Sequence, residues 1–358
     1  MSAPSTASSA SGTMMRAVRL SEHGRDPVLA RVPVPPVGRG DVRVAMRACG
    51  ICGSDLHIIE GSTVPAHLPI TLGHEASGVV EAVGGDVAHI AVGTRVAVNP
   101  MLSCGACRQC RTGRANLCPR VRVIGLQRDG AHADLVVVPA TNVIPLPDSV
   151  DFALGAIVAD AIATPWRAIA RARVQPGDVA VVYGLGGLGL HAAMLLRQVL
   201  GVRVIGVDAG DAALERAASY GIDEVVDARA GRPATEIHAL TDGGADVSFE
   251  FVGALGVVEQ AVRSLAYGGR CVVVGVGPDR LGLSLRQETL VARGQSIIGS
   301  HGYVSDDIRE LLDLLDSGRV AVHDTVSHRF PLTSYAEGLA ALRDRTSGAV
   351  RVVIENDG

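Results

Sequence analysis

The sequence predicts an α/β protein in which an irregular β-rich region precedes a doubly wound parallel sheet. Two contrasting patterns carry this prediction. From about residue 15 to 150, short β-rich runs are broken by Gly and Pro. From about residue 165 to 300, apolar strands alternate with helical segments, as in a parallel sheet with right-handed crossovers. A chain of 358 residues is long enough for two such domains.

The predicted elements follow one another along the chain. In the first region the clearest strands are predicted at Val42–Ala48, Gly78–Val83 and Arg95–Val98. Strands of the second region are predicted at Val179–Tyr183, Arg203–Val207, Glu224–Val226, Val247–Phe251, Arg270–Val276 and Ser296–Ile298. The helices between them are predicted at Leu188–Leu200, Ala212–Tyr220, Pro233–Leu240 and Gly256–Ala266. Six strands connected in this way form a dinucleotide-binding sheet. A last helix, Asp306–Ser317, and a last strand, Ala349–Ile354, are predicted after it.

The amino-acid composition limits the classes of protein to which this chain can belong. Hydrophobic residues make up 47% of the chain and charged residues 20%, as in an ordinary globular protein. A net charge of -4 and 3% aromatic residues provide neither the basic surface nor the stacking side chains of nucleic-acid binding, so no nucleic-acid partner is expected. The uncharged stretch Val179–Leu196 is long enough for a membrane span, but its glycines favour the turn described below. No membrane association is therefore expected.

The N-terminal residues and the cysteines predict the cellular compartment of the protein. Residues 1–14 are rich in Ser, Ala and Thr, lack the apolar segment of a secretory signal, and are predicted to be a disordered leader. The seven cysteines are odd in number and mostly clustered. Without a secretory signal, this clustering favours metal binding over disulfides and predicts a cytoplasmic protein.

A glycine-rich turn between a predicted strand and a predicted helix indicates a dinucleotide site. Its G-x-G-x-x-G pattern is a weak signal alone, but it is strong directly after an apolar strand. Glycines there let a pyrophosphate approach the helix N-terminus, whose free N–H groups favour anions. The predicted contact residues are Gly184, Gly186, Gly187, Leu188 and Gly189.

The second strand of this region ends in a carboxylate that predicts which dinucleotide binds. Asp208 lies 19 residues after Gly189 and can accept hydrogen bonds from both ribose hydroxyls of NAD. The same charge would repel the 2′-phosphate of NADP, and no Arg follows within two residues to offset it. NAD is therefore the predicted cofactor; the competing interpretation is a solvated Asp at a strand end.

Four cysteines within fifteen residues form the most specific pattern in the chain. Cys104, Cys107, Cys110 and Cys118 can supply the four thiolates of a tetrahedral zinc site. Such a site has no open position for a substrate, so its predicted role is structural. Free or disulfide-bonded cysteines are the first alternative. A zinc-ribbon nucleic-acid module is the second, and the acidic balance and the absence of Lys weigh against it.

Further motifs resemble the signature of zinc-containing alcohol dehydrogenases of the medium-chain dehydrogenase/reductase family. These are the runs Gly50–His57, Gly73–Glu75 and Val92–Val96, in order with the cysteine loop and the glycine-rich turn. The resemblance covers essentially residues 15 to 355. It implies a GroES-like catalytic domain of residues 15–160 plus 303–358 that holds two zinc ions, and a Rossmann domain of residues 161–302. It also implies an active site in the cleft between the domains, and a homodimer or homotetramer.

The resemblance implies a ligand set for the catalytic zinc. Cys52 and His74 match the first two ligands of the family, and Asp160 stands where better-known members place Cys or Glu. Glu75 matches a residue that lies behind the metal and can replace its water transiently. In the competing interpretation Glu75 is the third ligand, and Asp160 only hydrogen-bonds to a ligand of the zinc or caps a helix. Three protein ligands leave a fourth place open, where zinc lowers the pKa of an alcohol.

The resemblance also implies roles around the metal. Ser54 matches the hydroxyl that takes the alcohol proton, and His57 the outer end of the proton relay, which suits a side chain that titrates near neutrality. Both are otherwise unremarkable surface polar residues. Asp55 matches the carboxylate that orients His74. The residues implied in cofactor binding are Thr164 beside the nicotinamide, Arg351 at the pyrophosphate, and Val252 and Val276.

The predicted function is hydride transfer between an alcohol and NAD, which interconverts the alcohol with a ketone or aldehyde. A secondary alcohol or a cyclic or polyol substrate is favoured. The alternatives are a zinc-retaining reductase of a conjugated double bond and a non-catalytic cofactor-binding protein on the same fold. Ser54 and His57 weigh against the latter, which needs no relay. Cys49 and Cys52 also spell C-x-x-C, a possible redox pair, although Cys52 already has a metal role.

Overall fold

The computed structural model describes residues 13–277, 280, 282, 284, 286–344 and 346–356. Residues 1–12 of the predicted leader lie outside this range, and the first strand begins at Met14. The strands are β1 Met14–Leu20, β2 Val28–Pro33, β3 Asp41–Ile51, β4 Ile70–Thr71, β5 Glu75–Val83, β6 Arg95–Val98, β7 Met101–Leu102, β8 Arg122–Val123, β9 Leu135–Pro139, β10 Val143–Pro145, β11 Val179–Tyr183, β12 Arg203–Asp208, β13 Glu224–Asp227, β14 Ala245–Glu250, β15 Leu265–Val273, β16 Ser296–Gly299, β17 Val326–Pro331 and β18 Arg351–Glu355.

The helices lie mainly in the second half of the chain. They are α1 Gly53–Glu60, α2 Arg108–Arg111, α3 Phe152–Ile157, α4 Ala163–Ala172, α5 Gly187–Gln198, α6 Asp211–Ser219, α7 Pro233–Thr241, α8 Leu255–Arg263, α9 Gln287–Arg293, α10 Ser305–Asp316 and α11 Tyr335–Arg343. A π-helical turn, Val158–Ile162, joins α3 to α4.

The first sheet system is largely antiparallel and includes the C-terminal strands. Its main sheet has the order β10-β6-β5-β3-β18-β17, with β9 paired to β3. Side chains of β3 alternate between buried and half-buried over most of its length, because successive residues of a strand point to opposite faces. The chain returns to this sheet through β18, which pairs antiparallel with β3, so residues 352–355 lie beside the strand that precedes Cys52.

The second sheet is parallel throughout and has the order β13-β12-β11-β14-β15-β16. This is the doubly wound order in which the strand sequence reverses beside the first strand, and ligands bind at the carboxyl edge there. Val182 and Phe249 face the core under α5, whereas Val181 and Tyr183 face the core on the other side. Because both faces of the sheet are buried, these strands are continuous apolar runs in the sequence.

The prediction of an α/β fold with a doubly wound sheet is confirmed. Each predicted strand of that sheet is present, but β15 covers Leu265–Val273 instead of Arg270–Val276. The sequence prediction also missed helices α1, α2, α3, α4, α9 and α11. Together α3, the π-helical turn and α4 form a helical segment, Phe152–Ala172, that is long and apolar enough to cross a membrane. Because 83% of its most apolar window is buried inside the protein, it is better explained as a core segment.

Candidate active site and metal centres

Helix α1 begins at the end of β3 and places Cys52 at its N-terminus. The Asp55 carboxylate accepts a hydrogen bond from the Cys52 backbone N–H (2.8 Å), which closes a capping box. The other carboxylate oxygen lies 3.8 Å from Nδ1 of His74 and 3.4 Å from the N–H of Gly73. Asp55 is fully buried. One carboxylate therefore holds the backbone at Cys52 and faces the imidazole of His74, as the resemblance implied.

Cys52, His74, Glu75 and Asp160 converge from three separate segments of the chain. One donor atom of each lies within 4.8 Å of the others. Oδ2 of Asp160 is 3.6 Å from Nε2 of His74 and 3.9 Å from Sγ of Cys52. Tetrahedral zinc with bonds of about 2.0 to 2.3 Å holds its donors roughly 3.3 to 3.8 Å apart. The sulfur, nitrogen and oxygen donors therefore fit a zinc ion in both chemistry and spacing.

Asp160 reaches this group because it lies on the π-helical turn between α3 and α4. An extra residue in one helical turn rotates a side chain out of the regular helix pattern, and such turns are frequent at functional sites. Oδ1 of Asp160 accepts a hydrogen bond from the Thr164 hydroxyl (3.0 Å). Burial raises the pKa of Asp160, but His74, Arg351 and Thr164 outweigh it, so the pKa lies below its usual value and favours the carboxylate.

Glu75 lies on the buried side of the same group. It forms a buried ion pair with Arg351, and its other oxygen has no hydrogen-bond partner among the described residues. A β-carbon at Gly50 would lie 2.1 Å from that oxygen, so the absence of a side chain at Gly50 makes room for Glu75. Burial raises the pKa of Glu75, and Arg351 opposes the rise. One carboxylate oxygen of Glu75 lies within 4.8 Å of the other donors, so Glu75 is also placed where it could bind a metal ion.

Ser54 and His57 are exposed on α1. Oγ of Ser54 lies 3.2 Å from Nε2 of His74, the same ring nitrogen that faces Asp160. The hydroxyl therefore lies at the edge of the donor group, where a small molecule can reach it.

The cofactor-binding cleft lies at the carboxyl edge of the parallel sheet. A β-carbon at Gly189 would lie 1.7 Å from the Gly184 carbonyl oxygen, so the turn tolerates only glycine there. Oδ2 of Asp208 accepts the backbone N–H of Leu185 (2.7 Å), and Oδ1 accepts that of Gly210 (2.8 Å). A cavity of about 340 Å³ opens beside these residues, and Val252 also lines it. This cavity is suited to the adenosine half of a dinucleotide.

Two further residues were predicted to contact the cofactor. Val252 is half exposed and packs near Gly184, whereas Val276 is exposed. Arg351, which was predicted at the pyrophosphate, lies beside the glycine-rich turn and also against Glu75. Its guanidinium is buried, is paired with Glu75, and lies where a side chain of Gly187 would be. It therefore connects the metal-ligand group to the glycine-rich turn.

The four cysteines of the loop also converge. Their sulfur atoms all lie within 4.8 Å of one another, with Cys107 and Cys110 3.5 Å apart. Backbone N–H groups, that of Ala106 first, and the Arg120 guanidinium lower the pKa of the Cys104 thiol to about 5, although desolvation opposes them. A zinc ion with Zn–S bonds near 2.3 Å needs sulfurs about 3.8 Å apart. The loop therefore fits zinc with four protein ligands.

Comparison with known proteins agrees with this geometry. Residues 38–148 match the alcohol dehydrogenase GroES-like domain family, and residues 187–317 match the zinc-binding dehydrogenase family. An NAD-dependent alcohol dehydrogenase of Sulfurisphaera tokodaii is 33% identical over 317 residues, which cover 86% of this chain and 90% of that protein. A sorbitol dehydrogenase of Arabidopsis thaliana is 32% identical over 330 residues, 89% of this chain and 90% of that protein. The chain belongs to the zinc-containing alcohol dehydrogenase family.

A solved structure extends the agreement to the whole fold. The alcohol dehydrogenase TADH from Thermus sp. ATN1 superposes with a TM-score of 0.89 at 30% identity, covering 96% of this chain and 100% of that one. The predictions of an NAD-dependent, zinc-dependent oxidoreductase and of a GroES-like domain beside a Rossmann domain are confirmed. As in the rest of this family, its substrates are alcohols and carbonyl compounds.

Within this dehydrogenase, the sequence prediction missed one residue beside the metal-ligand group. Tyr303 is buried, and burial first, then the nearby charges of Asp160 and Glu75, raise the pKa of its hydroxyl. A signal for it existed, because Tyr303 follows β16 at the carboxyl edge of the parallel sheet, where ligands of doubly wound folds bind.

Proposed function

We propose that this alcohol dehydrogenase oxidises secondary alcohols, polyols included, with NAD at a zinc ion held by Cys52, His74 and Asp160. The convergence of these three donors beside the exposed Ser54 hydroxyl carries the proposal. The sorbitol dehydrogenase among the relatives supports the substrate class. Zinc bound there would act as a Lewis acid that lowers the pKa of the alcohol, and NAD would accept its hydride.

The charges of the ligands suit this chemistry. The Cys52 thiolate and the Asp160 carboxylate neutralise a dication, while His74 adds a neutral nitrogen donor. Asp55 faces Nδ1 of His74, which leaves Nε2 for the metal side. Glu75 remains behind the group, held by Arg351, and is the competing third ligand. A carboxylate donates less electron density than a thiolate, so Asp160 would leave the metal a stronger Lewis acid than Cys would.

The protein groups around the open position would handle the proton. In this proposal Ser54 accepts the proton of the alcohol, and His57, exposed three residues further along α1, passes it to solvent. General acid–base groups of this kind typically contribute about 10²- to 10⁴-fold in rate. The clefts for substrate and cofactor would meet here, with residues 15–160 and 303–358 on one side and residues 161–302 on the other.

The proposal extends to the assembly and the compartment. We infer a homodimer or homotetramer from the resemblance to the family. A cytoplasmic location is supported by the cysteines of the described residues, none of which forms a disulfide.

A panel of substrates with zinc-loaded protein tests the proposed function. We expect NADH to form with secondary alcohols and polyols faster than with primary or aromatic alcohols, and NADP to be a poor substitute for NAD. Asp160→Ala should lose the catalytic zinc and nearly all turnover, whereas Asp160→Cys should regain metal. Glu75→Ala should turn over slowly with zinc still bound. Retention of both zinc ions by Asp160→Ala would transfer the third-ligand role to Glu75.

A further inference from the structure

Asp208, the predicted ribose ligand, has a second carboxylate beside it in the parallel sheet. Asp208 ends β12 and Asp227 ends β13, and the two residues are register partners of these parallel strands. Side chains of register partners leave a sheet on the same face. The residues that follow them, Ala209 and Ala228, both line the cavity that is suited to the adenosine half of the dinucleotide. The two carboxylates therefore lie together at one edge of this cavity.

An arginine is paired with the second of these carboxylates. Arg229 donates to Asp227 from Nε (2.9 Å and 3.1 Å to the two oxygens) and from Nη2 (2.8 Å). Its backbone N–H also donates to Asp227 (2.8 Å). These hydrogen bonds from Arg229 hold the pKa of the Asp227 carboxyl below its usual value. No Arg follows Asp208 closely in the sequence, yet the pairing of β12 with β13 brings one to the same edge of the cavity.

A third carboxylate binds the other side of the same guanidinium. Asp211 is the first residue of α6 and pairs with both terminal nitrogens of Arg229, with Nη1 3.3 Å from Oδ2. The N–H of Gly210 donates to Asp208 (2.8 Å), so Asp211 directly follows the turn that Asp208 holds. All three nitrogens of the guanidinium therefore donate to Asp211 or Asp227, between the start of α6 and the end of β13.

These pairings occupy the donors that a phosphate would need. Dinucleotide-binding proteins of this fold that take NADP accommodate its 2′-phosphate with a nearby arginine, whose planar fork matches a phosphate in a bidentate manner. The side chain of Arg229 is 51% exposed, so a ligand can reach it, but its nitrogens are already matched by Asp211 and Asp227. One exposed ion pair contributes little to stability, whereas two carboxylates on one guanidinium form a network. With Asp208, the cluster is net negative and repels a phosphate.

We propose that Asp211 and Asp227 are specificity-determining residues for the cofactor, because they keep Arg229 from binding a 2′-phosphate. Asp208 excludes the phosphate by direct repulsion, and these two carboxylates occupy the guanidinium that would otherwise offset the repulsion. Loss of Asp208 alone therefore gives only part of the change from NAD to NADP. Loss of Asp211 alone changes little, since Asp208 and Asp227 remain. The inference rests on the proposed contact of Asp208 with the ribose of NAD.

The binding of two nucleotides tests this inference without turnover. Adenosine 2′,5′-bisphosphate carries the 2′-phosphate, and AMP lacks it. The triple variant Asp208→Ala, Asp211→Asn, Asp227→Asn should bind the bisphosphate roughly tenfold more tightly than Asp208→Ala does, because a hydrogen bond to a charged group typically contributes a factor of this size. AMP affinity should change much less. Asp227→Asn keeps an oxygen that can accept the backbone N–H of Arg229. Titration calorimetry measures both affinities.

Two further variants separate the guanidinium from a general loss of negative charge. Adding Arg229→Gln to the triple variant keeps the carboxylates absent and removes the guanidinium, so the gain in bisphosphate affinity should disappear. The matched control is Asp208→Ala with Asp86→Asn, because Asp86 is an exposed carboxylate of the first sheet system that accepts two hydrogen bonds from Arg39. This control should bind both nucleotides as Asp208→Ala does.

A smaller change keeps the inference testable if the triple variant does not fold. Asp208→Ala with Asp227→Asn should gain bisphosphate affinity in the same direction, by a smaller factor, because Asp211 still pairs with Arg229. The gain should again depend on Arg229.

Two results separate the failure of this inference from the failure of the proposed cofactor contact. If the unmutated protein binds the bisphosphate as tightly as AMP, Asp208 does not select against a 2′-phosphate, and the inference fails with that contact. If the unmutated protein prefers AMP and Asp208→Ala relaxes the preference, the contact of Asp208 stands. The inference is then wrong if the triple variant gains nothing further, or if its gain survives Arg229→Gln.

Discussion

Arg351 and Glu75 form a buried ion pair that connects the last strand of the chain to the back of the metal-ligand group. Arg351 is the first residue of β18 and is 4% exposed, and Glu75 is the first residue of β5 and is fully buried. The guanidinium also packs against the glycine-rich turn at Gly187. One side chain therefore contacts both a member of the metal-ligand group and the glycine-rich turn of the dinucleotide site.

Removing one partner of the Arg351–Glu75 ion pair should destabilise the folded protein. Arg351→Met leaves Glu75 as an unpaired buried charge, which we expect to lower the free energy of unfolding by about 3 to 5 kcal/mol. It should also raise the KM for NAD, since the guanidinium borders the glycine-rich turn. Chemical denaturation and NAD kinetics measure the two effects. The double variant Arg351→Met with Glu75→Gln should be more stable than Arg351→Met alone, because it no longer buries an unpaired charge. If the double variant instead loses the sum of the free energies lost by the two single variants, the ion pair does not stabilise the protein.

Asp208 should decide between the two nicotinamide dinucleotides. Asp208→Ala removes the acceptor for the ribose hydroxyls and the charge that repels a 2′-phosphate, so NAD binding should weaken and NADP binding should improve. The like-charge repulsion is about 4 kcal/mol at ~4 Å with an effective dielectric of ~20. KM values for both cofactors check this. Asp211→Asn, on an exposed carboxylate nearby, is the control and should keep the preference for NAD. Equal use of NAD and NADP by the unmutated enzyme would refute the charge argument.

The cysteine loop should bind one of the two zinc ions that we expect in each chain. Cys107→Ser removes one of four thiolates whose loop has few apolar contacts, so we expect the loss of about one zinc per chain and a lower melting temperature. Metal analysis and thermal unfolding measure both. Cys271→Ser, at a buried thiol of the parallel sheet outside both ligand groups, controls for the general cost of replacing a cysteine. A single zinc in the unmutated protein would rule out the two-site interpretation.

Two buried histidines should make the protein sensitive to acid. Burial lowers the pKa of His132 to about 4 and that of His191 to about 3. Because the unfolded chain takes up these protons near pH 6.5, stability is complete above that pH and is lost as the pH falls toward the folded values. Each pH unit in this window removes about 1.4 kcal/mol per histidine. Denaturation curves between pH 7 and about 5 measure the slope.

His132→Phe isolates one of these contributions. Both ring nitrogens of His132 lack a hydrogen-bond partner among the described residues, and the ring packs edge-on against Tyr335. An apolar ring should therefore raise the free energy of unfolding by about 1 kcal/mol at neutral pH and by more at pH ~5. His67→Phe changes an exposed histidine and serves as the control. The same acid sensitivity in His132→Phe and the unmutated protein would show that His132 does not contribute.

The sequence by itself determined the elements whose signals are local. Strand β11, the glycine-rich turn and the carboxylate at the end of β12 follow one another within thirty residues, so periodicity and turn chemistry suffice to predict them. The four cysteines are equally local, since their spacing alone permits a closed tetrahedral site. Helix α1 escaped prediction because its sequence has little amphipathic pattern, and burial of Ile58 and Ile59 in the core stabilises it instead.

Only the tertiary structure decided the contacts between distant segments. Asp160 reaches Cys52 and His74 through a π-helical turn, and nothing in the local sequence specifies the extra residue of that turn. Arg351 pairs with Glu75 because β18 returns to β3, a pairing across some 300 residues of chain that no local pattern encodes. Residues 301 and 302, after the last strand of the parallel sheet, meet the first sheet through contacts with Asn116 and Met101 that lie far from them in the chain. The residue types thus specify which metal-binding and cofactor-binding side chains are available. Long-range packing specifies which of these side chains come together, because the distances between metal-donor atoms depend on the path of the whole chain.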